Sequence, residues 1–331
     1  MEVISKLGIG PMSNIIIEAV FSYSQTNNVP LMLICSKNQV DFDRGYVFNI
    51  KEYGNYISSL DKKYPDARVL LCRDHCGPGH NSVFDIKDTY RTIDADIEVG
   101  FDLIHIDFCF HKGSYTEILN ESKKAVAYIQ GKSPDVMIEI GTDENNGIEV
   151  ENINKVEEQM KFFTSFFKPQ FFVTQTGSVI KEITQEGVFH KDYLKKVKLL
   201  ADKYDLLLKE HNADYLSGEE ISKRKGLISA VNVAPQFGIL QTQLSLYKAT
   251  QYGVDANEFL ELSYRSKKWV KWLNKNDANN KLLCSTIAGH YNFNTNEYKR
   301  LFDNISRHED FDQTIQGEVH KIFDLYIHNL S

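Results

Sequence analysis

The chain has 331 residues, 42% apolar and 25% charged, proportions of a folded globular protein able to bury a sizeable core. A formal net charge of −7 argues against nucleic acid or an anionic membrane surface as a partner. Its apolar runs span about six to eight residues, short of the ~20 that cross a bilayer. The start Met1-Glu2-Val3-Ile4-Ser5-Lys6 lacks the order of a signal peptide, so a cytoplasmic protein is expected.

Eight strand-like segments can be counted along the chain: 7–12, 30–36, 68–74, 102–107, 135–140, 170–175, 205–211 and 227–233. Helical patterns lie between them, such as Asp85 to Gly100, Tyr115 to Gly131, Val150 to Phe167 and His190 to Lys203. The last sets Tyr193, Leu194, Val197, Leu199 and Leu200 against lysines, as an amphipathic helix does. Eight such units in about 250 residues have the size and rhythm of a (β/α)8 TIM barrel. A doubly wound open sheet is the alternative, but Gly8 and Gly10 alone do not make a dinucleotide fingerprint. Past Tyr252 the pattern becomes helical: Ala256 to Trp272, Glu297 to Ile305 and Asp312 to Leu330, with an aromatic, polar segment from Ala288 to Asn294. No flexible linker precedes it. The organisation expected is a barrel over 1–252 and a C-terminal helical extension over 253–331 packed on it.

In a parallel barrel the carboxyl ends of all strands meet at one mouth, so polar groups ending separate apolar runs become neighbours. The third run ends in Asp74-His75-Cys76-Gly77-Pro78, an acid beside an imidazole. Glu139 is an ionisable group inside an apolar strand, where an unpaired charge is costly, so it needs a cation, a proton or several donors. His211 ends the seventh run as His75 ends the third. Two strand-end imidazoles with Glu139 could bind one divalent ion. Asp107 ends the fourth run and Gln175 the sixth, with Thr176, Gly177 and Ser178 behind it, where small residues suit close approach to a ligand. Asn232 precedes the eighth helix, at a place where barrels often hold phosphate, and Arg73 is a candidate cation for one. Five cysteines, an odd number set in or beside strands, are expected as reduced thiols; Cys72 and Cys76 lack the spacing of a zinc knuckle.

The stretches Cys35-Ser36-Lys37-Asn38-Gln39-Val40, Asp74 to Pro78, Gly100 to Asp107, Ile140-Gly141-Thr142-Asp143 and Glu210-His211-Asn212-Ala213-Asp214-Tyr215 carry a resemblance. The chain resembles the tagatose-bisphosphate aldolase subunit family described as non-catalytic or chaperone-like, across most of its length to about residue 250. That family is similar in turn to the class II, zinc-dependent ketose-bisphosphate aldolases. The resemblance implies Zn2+ as the divalent metal, with His75, Glu139 and His211 as ligands and Asp74 as catalytic acid/base. It also implies a lyase or epimerase of carbohydrate metabolism. Two departures stand out: Gln175 lies where those enzymes have a further histidine, and Asn212-Ala213-Asp214 replaces their glycine-rich phosphate loop.

The function expected is metal-assisted aldol cleavage, or C4 epimerisation, of a ketose or ketose phosphate through an enediolate. Asp74 moves the proton at the bond that breaks, with Glu144 or Asp107 as second acid/base. Substrate contacts are expected from Asn38, Gln39, Gln175, Thr176, Gly177, Asn212, Asp214, Asn232 and His290. A non-catalytic subunit that stabilises a partner class II aldolase is the alternative, and a sugar-binding module without chemistry is a third; assembly as a homo-oligomer is open to each.

Overall fold

The apolar runs are too short for helices, and in the computed structural model, which describes residues 4–43, 45–141, 152–274 and 278–330, they form strands. These are β1 (Leu7–Ile9), β2 (Leu31–Ser36), β3 (Val69–Cys76), β4 (Leu103–Asp107), β5 (Met137–Gly141), β6 (Phe171–Val173), β7 (Leu208–Glu210) and β8 (Ala230–Val233). Each pairs in parallel with its neighbour in sequence, and β8 closes on β1 with Leu7 opposite Val231. The fold is the (β/α)8 barrel that the alternation of elements predicts.

Alternation along each strand sorts the apolar side chains between two cores. Leu31, Leu33, Ile104, Ile106 and Ile140 join the layer between strands and helices. Met32, Ile34, Cys72, Leu103, Phe171 and Ala230 form a separate plug inside the barrel. That plug fills the floor and leaves the polar strand ends facing the carboxyl-end mouth.

Eight helices follow the strands: α1 (Asn14–Asn27), α2 (Ile50–Lys63), α3 (Ile86–Val99), α4 (Tyr115–Lys132), α5 (Ile153–Thr164), α6 (Lys191–Lys203), α7 (Gly218–Ser222) and α8 (Pro235–Tyr252). Four more come after: α9 (Asn257–Arg265), α10 (Lys281–Ala288), α11 (Asn296–Ser306) and α12 (Phe311–Leu330). The helix predicted from Ala256 to Trp272 stops at Arg265. There Ser266 Oγ bonds the Ser263 carbonyl, Lys267 turns left-handed at φ 53°, and only a 3-10 turn, Val270–Trp272, follows. The segment from Ala288 to Asn294 is itself helical, the end of α10 running into a 3-10 turn at Gly289–Asn292.

The last helix is tied to the barrel wall. α12 packs on α1 and α7 and reaches β1. Tyr23 donates to Asp324 at 2.6 Å, and Phe323 lies edge-on to both Tyr23 and Phe237. The buried Tyr326 hydroxyl donates to the Ala213 carbonyl and accepts the Leu216 N–H, so α12 pins the loop after β7.

On the outer side of β7 a buried ion pair fastens that strand to its neighbours. Arg224 donates to both oxygens of Glu210, at 2.5 and 2.9 Å, and Glu210 also accepts the hydroxyls of Thr176 and Ser178. Replacing Arg224 by Met leaves a buried carboxylate uncompensated. We expect a loss of about 3–5 kcal/mol in a urea titration, part of it recovered when Glu210→Gln is added.

Candidate functional site

The mouth begins with an irregularity in β3. Arg73 pairs with Ile104 of β4 but Cys76 pairs with Ile106, so three residues of β3 advance against two of β4. His75 sits in the inserted step at φ 51°, a left-handed conformation that costs energy in a non-glycine residue. Neighbours on a regular strand face opposite ways. This bulge turns Asp74 and His75 to the same side, into the mouth. Two residues apart on β4, His105 and Asp107 face the same way, as do Glu139 on β5 and the pair Lys209 and His211 at the end of β7.

These side chains make one connected array. His75 Nδ1 meets Asp107 at 2.6 Å, and His75 Nε2 lies 3.3 Å from His211 Nδ1. His211 Nε2 meets Glu139 Oε1 at 2.9 Å, while Glu139 Oε2 accepts from Lys209 Nζ at 2.6 Å. Asp74 stands 3.8 Å from His75 Nε2, 3.8 Å from His211 Nδ1 and 3.7 Å from His105 Nδ1. The His75 side chain is 34% exposed and Asp74 16%, against 2% for His105 and 4% for His211. The array is therefore reached from solvent across Asp74 and His75.

Its electrostatics follow from crowded charge. Burial opposes ionisation of Asp74, but the His75 and His211 imidazoles outweigh it and hold the carboxyl well below the usual range. Asp107 is likewise held low, by its hydrogen bond to His75 and by His80. Burial lowers His75, yet Asp74 and Asp107 prevail and raise it to about 9. His211 stays below its ordinary value because burial wins there, and burial takes His80 down to about 4. Glu139, buried beside Lys209 and His211, falls to about 2. With neutral imidazoles, three carboxylates face the single fixed charge of Lys209, a formal balance of −2. The proton on His75 offsets half of it.

The donor set fits a divalent cation. His75, His105, His211 and Asp74 each bring a ligand atom, all within 4.8 Å of one another. Tetrahedral sites with bonds of about 2.1 Å need ligand atoms about 3.4 Å apart. The separations around Asp74 are too long for hydrogen bonds but close to such ligand edges. The outer nitrogens of His75 and His211 bind Asp107 and Glu139, as metal-bound imidazoles bind carboxylates behind them. His105 Nδ1, 3.7 Å from Asp74, accepts the His75 N–H at 3.3 Å, a long hydrogen bond that it would give up to bind an ion, and its Nε2 is buried with no partner among the described residues. Gly141 makes room for that ring, since a Cβ there would lie 2.6 Å from Nε2. His75, His80 and Asp107 form a second such group, with the His80 ring stacked on His75.

The other residues singled out in the sequence divide by what already engages them. Glu139 lies beside His211, both of its oxygens bonded. Glu144 lies outside the described residues. Asn232 is buried inside the barrel with neither polar atom partnered, and His290 is buried against Gly238 in the first turn of α8 with Nδ1 unpartnered. Asn38 donates to the His80 carbonyl at 2.9 Å, and Gln39 accepts the Ser36 N–H at 2.8 Å. Gln175 follows β6 at the same rim, and Asn212 follows His211 at φ 57°.

Four expectations need correction. The buried Thr176 hydroxyl donates to Glu210 at 2.5 Å rather than to a ligand. Gly177 provides close approach to the Val188 carbonyl, where a Cβ would lie at 1.9 Å. Asp214 accepts the N–H groups of Ala234 and Gln236, at 3.0 and 2.8 Å, so the helix N-terminus suggested for phosphate is capped by a carboxylate. Arg73 is buried against Asp96 and faces α3.

Sequence reasoning missed His105, His80 and Lys209. Period-two spacing to Asp107 and His211 could have found the first and last. His80 lies in a loop and carries no such signal. All five cysteines are free thiols.

No family model and no curated protein matches the sequence. Solved structures do match. A probable tagatose 6 phosphate kinase from Sinorhizobium meliloti 1021 superposes with a TM-score of 0.80 at 14% identity, over 98% of this chain and 100% of that one. The YdjI aldolase from Escherichia coli K12 gives 0.57 at 12%, over 91% and 90%. The fructuronate-tagaturonate epimerase UxaE from Cohnella laeviribosi gives 0.60 at 11%, over 97% and 81%. These likenesses establish the TIM-barrel fold. Among the described residues no helix is long and apolar enough to cross a membrane.

The array makes opposite pH signatures in the metal-free protein. His75, raised from 6.5 to about 9, adds stability that is complete below pH 6.5 and lost as pH rises toward 9. His80, lowered to about 4, adds stability that holds above pH 6.5 and is lost as pH falls toward 4. Imidazole NMR titration should give these two midpoints; a His75 midpoint below 7 would contradict its pairing with Asp74 and Asp107.

Proposed function

We propose that this chain is a metal-assisted enzyme of carbohydrate metabolism that cleaves or epimerises a ketose or ketose phosphate. One observation carries the reading: three imidazole nitrogens converge on the Asp74 carboxylate at the carboxyl ends of the barrel strands. Aldolase and epimerase neighbours of the same fold lend support. In this reading His75, His105 and His211 hold a divalent ion, zinc by the nature of the donors, with Asp74 beside it. Such an ion, when bound, polarises a carbonyl oxygen and stabilises the charge that develops on it.

The chain's own groups supply the rest. Asp74, ionised at neutral pH and the carboxylate most open to the mouth, accepts the proton of the substrate hydroxyl next to the bond that breaks. Asp107 fixes the His75 ring through Nδ1, and Glu139 fixes His211 through Nε2, so each presents its other nitrogen to the mouth. Asn232 and His290, buried and with unpartnered polar atoms, are the contacts we assign to substrate hydroxyls. Glu144 is the group we assign to return a proton. Cleavage and C4 epimerisation share the same first step and differ in whether the aldehyde turns before it adds back.

The test is to purify the chain, measure bound metal and follow ketose phosphates by NMR. Metal-dependent turnover is expected, with Asp74→Asn lowering kcat by about 10²–10⁴-fold while metal content holds. Turnover untouched by chelation, or untouched in Asp74→Asn, overturns the reading. Uptake of the ion should also release a proton near pH 7, because His75 carries one there and must give it up to become a ligand. Affinity should therefore fall as pH is lowered, which calorimetry in buffers of different ionisation enthalpy detects.

A further inference from the structure

Glu139 poses a problem that the array alone does not solve. It is fully buried, it faces the same space as the imidazoles, and its Oε1 lies 3.7 Å from His105 Nδ1, as close as Asp74 comes. A buried carboxylate that close to a metal-binding imidazole would be drawn onto an ion held there, since the attraction is strong where water is excluded. Lys209 opposes this. It lies on β7 two residues before His211, 1% exposed, with Nζ on Glu139 Oε2 at 2.6 Å, over the Phe171 ring and beside Met32 in the floor.

We infer that Lys209 is a positioning residue that withholds Glu139 from the ion. The inference rests on the metal-assisted reading above and deepens it. Lys209 pulls one Glu139 oxygen toward the floor, away from the mouth. The other oxygen then lies level with His211 Nε2 and fixes that ring with Nδ1 outward. An ion would then be held by His75, His105 and His211, with Asp74 left free to accept the substrate's proton and room toward the mouth for the substrate's oxygen. A barrel with a neutral residue at 209 would instead offer Glu139 as a fourth protein ligand and close that position.

The experiment compares the Co2+-substituted full-length protein with Lys209→Met, Lys209→Arg and the double variant Lys209→Met/Glu139→Gln. In Lys209→Met the freed carboxylate should join the ion. Cobalt then binds about tenfold more tightly, and its visible absorption weakens as the coordination number rises. Lys209→Arg keeps the charge and should keep the wild-type spectrum. The double variant has no carboxylate to recruit, so its spectrum should return to wild type even if Lys209→Met alone folds poorly. If Lys209→Met or, where it does not fold, Lys209→Gln binds cobalt with unchanged affinity and spectrum, the inference is overturned. If the wild-type protein binds no cobalt, the metal-assisted reading itself fails, a distinct result.

Discussion

Asp74 and His75 are adjacent in the chain, and on an unbroken strand one of them would point into the helical layer. The extra residue in β3 removes that conflict, at the cost of a left-handed His75. Everything else in the mouth is built around the result. Asp107, one strand over, takes the outer nitrogen of His75, and the His75 backbone N–H, freed from the regular ladder, is received by His105. A straight β3 would present either the acid or the imidazole to the mouth, and the other would be lost to the array.

The second constraint is charge. Three carboxylates converge in a mouth where burial makes each expensive, and only Glu139 among them has a lysine or arginine. The other two are held ionised by imidazoles. That is an unstable economy for a merely structural cluster, because replacing such groups by apolar side chains often stabilises a protein. A site that carries a formal −2 and offsets half of it with a histidine proton suits the proposed reading, in which that proton is exchanged for a cation. The Lys209–Glu139 pair is of another kind: both groups are almost fully buried, and neither faces the solvent-exposed edge at His75.

Much of this was legible in the sequence, for a physical reason. A buried parallel strand is a short apolar run that must end where its polar residues begin, so all eight strands and the Asp74, His75, Glu139 and His211 positions stood out by eye. The barrel then dictated that strand ends meet. Residues lying inside the runs were harder to see. His105 sits between two isoleucines and Lys209 follows three leucines, so both read as interruptions of a core. Their alternation with Asp107 and His211 was the available clue. The bulge left no composition signal at all. Thr176 and Asp214 misled because a polar residue at a strand end serves equally to cap a helix or to satisfy a buried arginine network, and its partners, Glu210 here and the α8 N–H groups there, come from distant parts of the chain.

The C-terminal helices bear on the chemistry through the β7 loop. His211 has no strand pairing of its own beyond Glu210, so its position depends on what holds the residues after it. Three anchors do so from different parts of the chain. Tyr326 of α12 holds Ala213 and Leu216; Gln185, from the loop after β6, donates to the carbonyls of Asn212 and Asp214; and Asp214 caps α8. Each leaves the His211 ring itself untouched. The ring's tautomer is set from below by Glu139 and Lys209, and its place is set from outside by a helix more than a hundred residues away in sequence. A barrel ending at α8 would keep every side chain of the array and lose one of the three fastenings that hold its second imidazole in line with the first.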